Sequence, residues 1–200
     1  TVPATVKVEL VGALQPGVMA RDVFHHMARV MGPSSCAFKV VELCGPVIDA
    51  MSIEGRQTLC GQAMFLGATT MLTAPDAKTL DYARGRSKIA LDPVYPDADA
   101  VYERVVRIDV STLAPIVVVP PSPANTRDLM DHVGTVVHTG YLGSCASGRL
   151  EDLRIAADVL RGRHIAPGFQ LHVVPTSQAI MAQAAREGLI TTLVEAGAFI

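Results

Sequence analysis

Segments typical of strands and segments typical of helices alternate along almost the whole of this 200-residue chain. The hydrophobic pattern predicts strands at 6–10, 38–43, 69–72, 104–110, 133–142 and 170–174. It predicts helices at 20–31, 57–66 and 150–160, a helix that ends at Tyr82, and a helical region over 177–195 broken near Gly188. Strands separated by amphipathic helices predict an α/β fold in which helices cover parallel or mixed sheets.

A proline-rich stretch marks the predicted boundary between two lobes. Residues 113–125 hold four of the thirteen prolines beside a dense apolar run. Proline removes a backbone donor and interrupts regular structure, so such a stretch favours a connection between compact units. We therefore predict one α/β lobe at 1–114 and a second at 115–200.

Composition excludes several functional classes. The net charge is −2, with no basic stripe and only five Phe and four Tyr, which argues against nucleic acid as a partner. No apolar run reaches the roughly 18 residues of a membrane span, and we expect no membrane partner. Four cysteines without a close pair, and the lack of a signal peptide, predict a reducing, cytoplasmic location. Because half the residues are hydrophobic, we expect apolar surface that meets another subunit or a second copy of the chain.

The strongest local signal is the glycine-rich turn after the strand that ends at Leu142. Residues 143–148 read GSCASG and lead into a predicted helix. A cysteine here would lie in the positive field of a helix N-terminus, which favours the thiolate that metal ligands and nucleophiles require. The alternative is that Cys145 is a small side chain buried where strand and helix join.

The turn begins a longer motif. Residues 143–154, GSCASGRLEDLR, resemble the GSCTN-x-R-x-EDLR signature of the aconitase and isopropylmalate isomerase family. Residues 10–22, LVGALQPGVMARD, resemble that family's G-x-L-x-x-GVTAKD segment, and VVPTSQ at 173–178 and EAGA at 195–198 follow in the expected order. The resemblance is to a middle portion of the large subunit. It implies aconitase-like lobes of three α/β/α layers and a hydro-lyase or isomerase that acts on a small di- or tricarboxylic acid.

The resemblance also implies a cofactor. In the family, the GSC cysteine is one thiolate ligand of a [4Fe-4S] cluster whose open iron binds the substrate carboxylate and hydroxyl as a Lewis acid. By resemblance, Cys145 is that ligand, provided another chain supplies the remaining thiolates. Cys36, Cys44 and Cys60 do not lie at ligand positions. Otherwise we expect no cofactor.

The sequence departs from the family pattern within the family's catalytic motifs. The family's I-C-N-M-x-x-E run has Gly61 in place of Asn and Phe65 in place of Glu, and Ala146-Ser147 replace the Thr-Asn after the cysteine. A phenyl ring can neither accept a proton nor bind iron. The departures leave three alternatives open: a truncated or split hydro-lyase subunit, a cluster-free enzyme that uses Cys145 or the emptied pocket, and a non-catalytic subunit that stabilises a partner.

The remaining candidates surround the turn. We expect catalytic roles for Cys145, Ser144, Arg149 and His138, and substrate binding by Arg149, Arg154, Ser147 and Ser177. Arginine can hold a carboxylate through two hydrogen bonds. Arg154 could instead pair with Glu151 or Asp158 on a solvated helix face. His138 could pair with Cys145 if the glycine turn brings the two together.

Overall fold

The computed structural model describes residues 2–200, and the chain divides into two compact units between His132 and Val133. The strands of the first unit are β1 (Thr5–Val11), β2 (Val40–Cys44), β3 (Thr70–Thr73), β4 (Arg104–Asp109), β5 (Ile116–Val118) and β6 (Thr126–Asp128). Its helices are α1 (Ala20–Met31), α2 (Pro46–Ala50), α3 (Ile53–Cys60) and α4 (Ala77–Arg84), with single 3₁₀ turns at Ala63–Leu66 and Leu129–His132. The second unit contains β7 (Thr139–Gly143), α5 (Leu150–Leu160), β8 (Gln170–Val174), α6 (Gln178–Arg186) and α7 (Leu189–Glu195).

The first unit is built on a parallel sheet with the strand order β3-β2-β1-β4. Along β1 every second residue is buried, namely Val6, Val8 and Leu10, as strand geometry requires of a sheet face that packs on helices. Helix α1 meets this core with Phe24 and Met27, both fully buried. The alternation of strand and helix confirms the predicted α/β class.

The second unit is smaller. Strand β7 pairs in parallel with β8, and Phe199 forms an isolated parallel bridge to His172 beside them. Helix α5 contributes Leu153 to the core, α7 contributes Leu193, and both side chains are fully buried. Helices α6 and α7 are separated at Gly188, where the sequence predicts a break; Gly188 has a positive φ of 75°.

The proline-rich segment belongs to the first unit, so the compact units divide 18 residues after the predicted boundary at 114/115. β5 and β6 form an antiparallel pair, and the Ile116 N–H donates to the Asp22 carboxylate on α1 at 3.1 Å. Nδ1 of His25, also on α1, donates to the Pro123 carbonyl at 2.9 Å. These hydrogen bonds fasten the segment to α1 and make it part of the first unit.

Two predicted elements differ from the structure by four or more residues at one end or both. The strand predicted at 133–142 begins only at Thr139, because Gly134 adopts a φ of 88° and the valines that follow it are exposed. The helix predicted at 57–66 starts earlier, at Ile53, where the Ser52 hydroxyl accepts from the Gly55 N–H at 2.9 Å. It ends at Cys60. Within residues 2–200 no helix is both long and apolar enough to cross a membrane.

Candidate functional site

The candidate site lies at the carboxyl ends of β7 and β8. Gly143 and Val174 are register partners, so the turn after β7 and the turn after β8 leave the sheet side by side. The first turn carries Cys145, and the second leads through Thr176 to Ser177. In open α/β sheets this edge is where ligands bind, because loops from neighbouring strands converge there.

Glycine is required in the first turn because the backbone packs tightly on Val174. A Cβ atom at Gly143 would lie 2.7 Å from the Val174 carbonyl oxygen, and one at Gly148 would lie 2.5 Å from the same atom. Gly148 also has a positive φ of 73°. Ser144 has a φ of 68°, a left-handed conformation that side-chain-bearing residues rarely adopt. The path of the turn is therefore set by close backbone packing and one strained residue.

Hydrogen bonds from Thr176 and Arg149 fix the carbonyl groups of the turn. The Thr176 N–H donates to the Gly148 carbonyl at 3.0 Å. Its hydroxyl lies 3.2 Å from the Ser144 carbonyl and 2.9 Å from the Ser147 carbonyl. Nη2 of Arg149 donates to the Cys145 carbonyl at 3.0 Å. The main chain on both sides of Cys145 is thus held in place while Cys145 itself is exposed.

The sequence predicts that Cys145 lies at a helix N-terminus, but the structure places it before the helix begins. Helix α5 begins at Leu150, and its N-cap is Arg149, four residues after Cys145. The Arg149 N–H donates to the Asp152 carboxylate at 3.0 Å, and this hydrogen bond caps the N-terminus of α5. The field of a helix falls off within about one turn. Exposure and the fixed turn, rather than the helix, therefore define the surroundings of Cys145.

The other predicted site residues are brought together only in part. Ser144, Ser147 and Arg149 belong to the turn, and Ser177 lies at the neighbouring strand end. The Ser177 hydroxyl oxygen caps α6 by accepting from the Ile180 N–H at 3.2 Å. Ser177 is therefore the N-cap of α6.

Arg154 forms a two-hydrogen-bond ion pair with Glu187. Nε and Nη2 of Arg154 donate to the two carboxylate oxygens of Glu187, at 2.8 and 2.7 Å. The charged hydrogen bonds from Arg154, followed by that from Gln183, lower the pKa of Glu187 to about 2. The Glu187 carboxylate thus takes the two guanidinium donors that a substrate carboxylate would use.

His138 is not brought to Cys145. It precedes β7, whereas Cys145 follows the strand, so a five-residue strand lies between them. At about 3.3 Å per residue such a strand spans roughly 16 Å. The two side chains therefore lie at opposite ends of β7.

The cysteines test whether these residues fit an iron–sulfur cluster. Cys36 is fully buried in the first unit, the Cys44 thiol donates to the Val8 carbonyl at 3.7 Å, and burial raises the pKa of the Cys60 thiol to about 11. Only Cys145 is exposed. In the part of the chain that the structure describes, no group of three His, Cys, Asp or Glu side chains could hold a metal ion. Cys145 fits a single ligand position, and the described residues do not complete a cluster.

The position of the family's glutamate is apolar here. The Phe65 ring, 39% exposed, lies in the 3₁₀ turn after α3, with its centroid 6.1 Å from that of Phe24. Gly61 ends α3, and its N–H donates to the Gln57 carbonyl at 2.9 Å. The aromatic contact supplies packing to this part of the first unit and no acid or base.

Sequence reasoning did not identify Thr176 as a contributor to the site. Thr176 lies within the family-like segment VVPTSQ and shortly after a strand predicted at its observed bounds. A threonine at the end of a strand next to a glycine-rich turn is the signal that could have indicated it. Strand order was also needed, and a single sequence does not provide that.

Comparison with known proteins gives consistent matches. The chain matches the Aconitase family (aconitate hydratase) over residues 1–136 and 130–200. It is 37% identical over 205 residues to the 3-isopropylmalate dehydratase large subunit of Geotalea uraniireducens, and 40% identical over 205 residues to that of Geobacter sulfurreducens. It is 38% identical over 199 residues to 3-isopropylmalate dehydratase large subunit 1 of Methanopyrus kandleri. These alignments cover 98–100% of this chain and 48% of each relative, so the chain spans about half the length of the curated relatives it matches.

A solved structure shows the same fold. The holo form of Thermococcus kodakaraensis aconitase X superposes with a TM-score of 0.50 at 13% sequence identity, covering 99% of this chain and 43% of that chain. At this identity the similarity concerns the fold alone. With the family match over both units, it confirms the predicted resemblance: the chain belongs to the aconitase family.

Proposed function

We propose that this chain is part of a hydro-lyase that reversibly removes water from a small di- or tricarboxylic acid, with 3-isopropylmalate as the first substrate to test. The observation that carries the proposal is the exposed Cys145 on a turn whose neighbouring carbonyls are fixed by hydrogen bonds. A rigid turn that presents a thiol at the ligand-binding edge of a parallel sheet suits a site that must hold a reacting group in one orientation.

The residues proposed to hold the acid are those of the same edge. Arg149 places its guanidinium group beside the Cys145 carbonyl and supplies positive charge for a carboxylate. The hydroxyls of Ser144, Ser147 and Ser177 are candidates for hydrogen bonds to the remaining substrate oxygens. Arg154 would have to give up its two hydrogen bonds to Glu187 to bind a substrate, so we rank it below Arg149.

We propose that Cys145 supplies one thiolate to a [4Fe-4S] cluster whose other ligands come from outside these 200 residues. In such enzymes the cluster provides a Lewis-acidic iron for the carboxylate and hydroxyl of the substrate. The name "large subunit" of the relatives further suggests a small subunit as partner. Exposed apolar side chains in the second unit, such as Tyr141 at 61% and Phe199 at 58%, are consistent with further protein contacts.

A cluster-free enzyme is the second candidate function. It is favoured by Phe65, which packs on Phe24 where the resembling family carries a glutamate. Without that carboxylate the usual proton transfer lacks a partner. In this alternative the Cys145 thiol itself is the nucleophile, and the protein would work without iron.

The test is a dehydration assay of the anaerobically purified protein in its native assembly, with 3-isopropylmalate and the ultraviolet absorbance of the unsaturated product as readout. We expect Cys145→Ser to reduce kcat by at least roughly 100-fold. Cys44→Ser, which changes a half-buried cysteine in the first unit, is the matched control and should retain activity. Unchanged activity of Cys145→Ser would rule out both a cluster held by Cys145 and a Cys145 nucleophile.

A further inference from the structure

Thr176 contacts the cysteine turn through both its backbone N–H and its side-chain hydroxyl. Its backbone N–H binds the Gly148 carbonyl, and its hydroxyl lies within hydrogen-bond distance of the Ser144 and Ser147 carbonyls. A hydroxyl carries one hydrogen, so its donation is shared between the two carbonyls, with the shorter contact, 2.9 Å, to Ser147. One side chain from the end of β8 thus joins both flanks of Cys145.

The turn needs these hydrogen bonds because its backbone conformation at Ser144 is unfavourable. Ser144 has a left-handed backbone, which is sparsely populated for residues other than glycine and persists only where the surroundings enforce it. Its carbonyl is one of the two groups that the Thr176 hydroxyl approaches. Removal of the Thr176 hydroxyl would keep the N–H bond to Gly148 but lose the side-chain contacts with the Ser144 and Ser147 carbonyls.

We propose that Thr176 is a positioning residue: its hydroxyl fixes the orientation of the Cys145 turn, so that the thiol is presented in one geometry at the edge of the sheet. Thr176 itself touches no reacting group. This inference rests on the proposed function for its catalytic consequence, whereas its structural consequence can be measured without any activity.

The test compares Thr176→Val, which keeps the branched shape and removes the hydroxyl, with Thr176→Ser, which keeps the hydroxyl. The matched control is Thr192→Val, because the half-buried Thr192 hydroxyl also donates to a backbone carbonyl, that of Gly188, at 3.2 Å in the same unit. The full protein is used throughout. If Thr176→Val does not fold, Thr176→Ala against Thr176→Ser gives the same comparison.

The first readout is amide hydrogen exchange of the peptide that covers residues 143–149. We expect Thr176→Val to speed exchange there by roughly fivefold, as expected for the loss of one net hydrogen bond, with recovery in Thr176→Ser. Thr192→Val should leave this peptide unchanged. Exchange at wild-type rates in Thr176→Val, or an equal rise throughout the second unit, would overturn the proposal.

The second readout is the split between kcat and KM in the dehydration assay. We expect Thr176→Val to lower kcat by roughly five- to tenfold while KM stays within about twofold, because the reacting geometry rather than the binding surface is disturbed. An unchanged kcat together with a mobile turn would overturn the positioning role. If the wild-type protein proves inactive, the proposed function fails, and the exchange experiment alone decides whether the hydroxyl fixes the turn.

Discussion

The two units of this protein differ in the size of the sheet and of the hydrophobic core that stabilise them. The first surrounds a four-stranded parallel sheet with a cluster of 21 buried hydrophobic residues, whereas the second has two paired strands and a cluster of seven. Hydrophobic burial is the dominant source of stability, so the first unit has the larger reserve. The candidate site lies in the smaller unit. Its geometry therefore depends on backbone packing and hydrogen bonds at one turn, which makes it more sensitive to single polar substitutions.

A buried arginine of the first unit contrasts with a surface arginine of the second. In the first, the Arg56 side chain, 5% exposed, donates to the Ile48 carbonyl at 3.0 Å and to the Asp76 carboxylate at 2.6 Å. In the second, Arg154 and Glu187 pair at the surface. A buried guanidinium must keep all its partners, whereas a solvated pair can exchange them for water.

The largest expected effect is at the buried arginine. Arg56→Met removes the partner of Asp76 and of the Ile48 carbonyl, and we expect it to lower the free energy of unfolding of the first unit by about 4 kcal/mol. Chemical denaturation followed by circular dichroism measures this change. Arg84→Met is the control: Arg84 is 63% exposed in a pair with Asp81, and a shift below about 0.5 kcal/mol is expected. Equal effects of the two substitutions would refute the contrast drawn between buried and surface pairs.

The small core of the second unit should respond strongly to one cavity. Leu153→Ala removes a fully buried side chain, and we expect a loss of about 3 kcal/mol. Hydrogen exchange should show faster opening across α5 to α7. On the same helix Ile155 is 48% exposed, so Ile155→Ala should have little effect. A comparable loss from both variants would mean that the buried cluster does not hold this unit together.

A moderate, pH-dependent effect is expected at α1. Burial, more than the neighbouring Arg21, lowers the pKa of His25, while the hydrogen bond to Pro123 and the charge of Asp22 raise it. In the unfolded chain His25 takes up a proton near the ordinary histidine pKa of about 6.5, whereas in the folded protein it stays neutral to lower pH. The free energy of unfolding therefore falls as the pH drops from about 7. Thermal unfolding as a function of pH measures this dependence.

His25→Gln keeps a donor for the Pro123 carbonyl without titrating, so the variant should lose part of the acid sensitivity. Burial lowers the pKa of His26 as well, and the remaining dependence should disappear in the double variant His25→Gln/His26→Gln. An unaltered pH profile in the double variant would contradict this assignment.

The smallest effect is expected at the surface pair of the second unit. Because Arg154 holds the pKa of Glu187 down to about 2, the pair contributes stability above the ordinary glutamate pKa of about 4.3, and this contribution disappears as the pH falls toward 2. Glu187→Gln should flatten that acid dependence and change the unfolding temperature little at neutral pH. High salt should reduce the wild-type contribution in the same way. A large loss of stability at neutral pH would contradict the small contribution expected of a solvent-exposed ion pair.

Local structure was predictable from sequence where a periodic pattern is decisive. Helices α1 and α5 and strand β8 have the predicted bounds, because their apolar residues recur at helical or strand spacing. Cys145 was singled out from its turn, and it is exposed at the carboxyl edge of the sheet.

Long-range contacts were not predictable from one sequence. Nothing local in residues 115–132 indicates that they pack on α1, since the contacts from Asp22 and His25 span more than ninety positions. The valines after His132 have strand propensity but remain exposed. The Thr176 hydroxyl reaches the Ser144 and Ser147 carbonyls because β7 and β8 are neighbours, and strand pairing is a property of the folded chain.

The central claim, that Cys145 is a ligand position in a cluster-dependent hydro-lyase, is tested most directly by iron and acid-labile sulfide analysis. The protein is purified anaerobically in its native assembly, as wild type and as Cys145→Ser. We expect wild-type protein to carry about four irons with matching sulfide and broad visible absorption, and Cys145→Ser to lose both. An iron-free wild-type protein that still dehydrates the acid would contradict the claim and identify the Cys145 thiol as the group to follow.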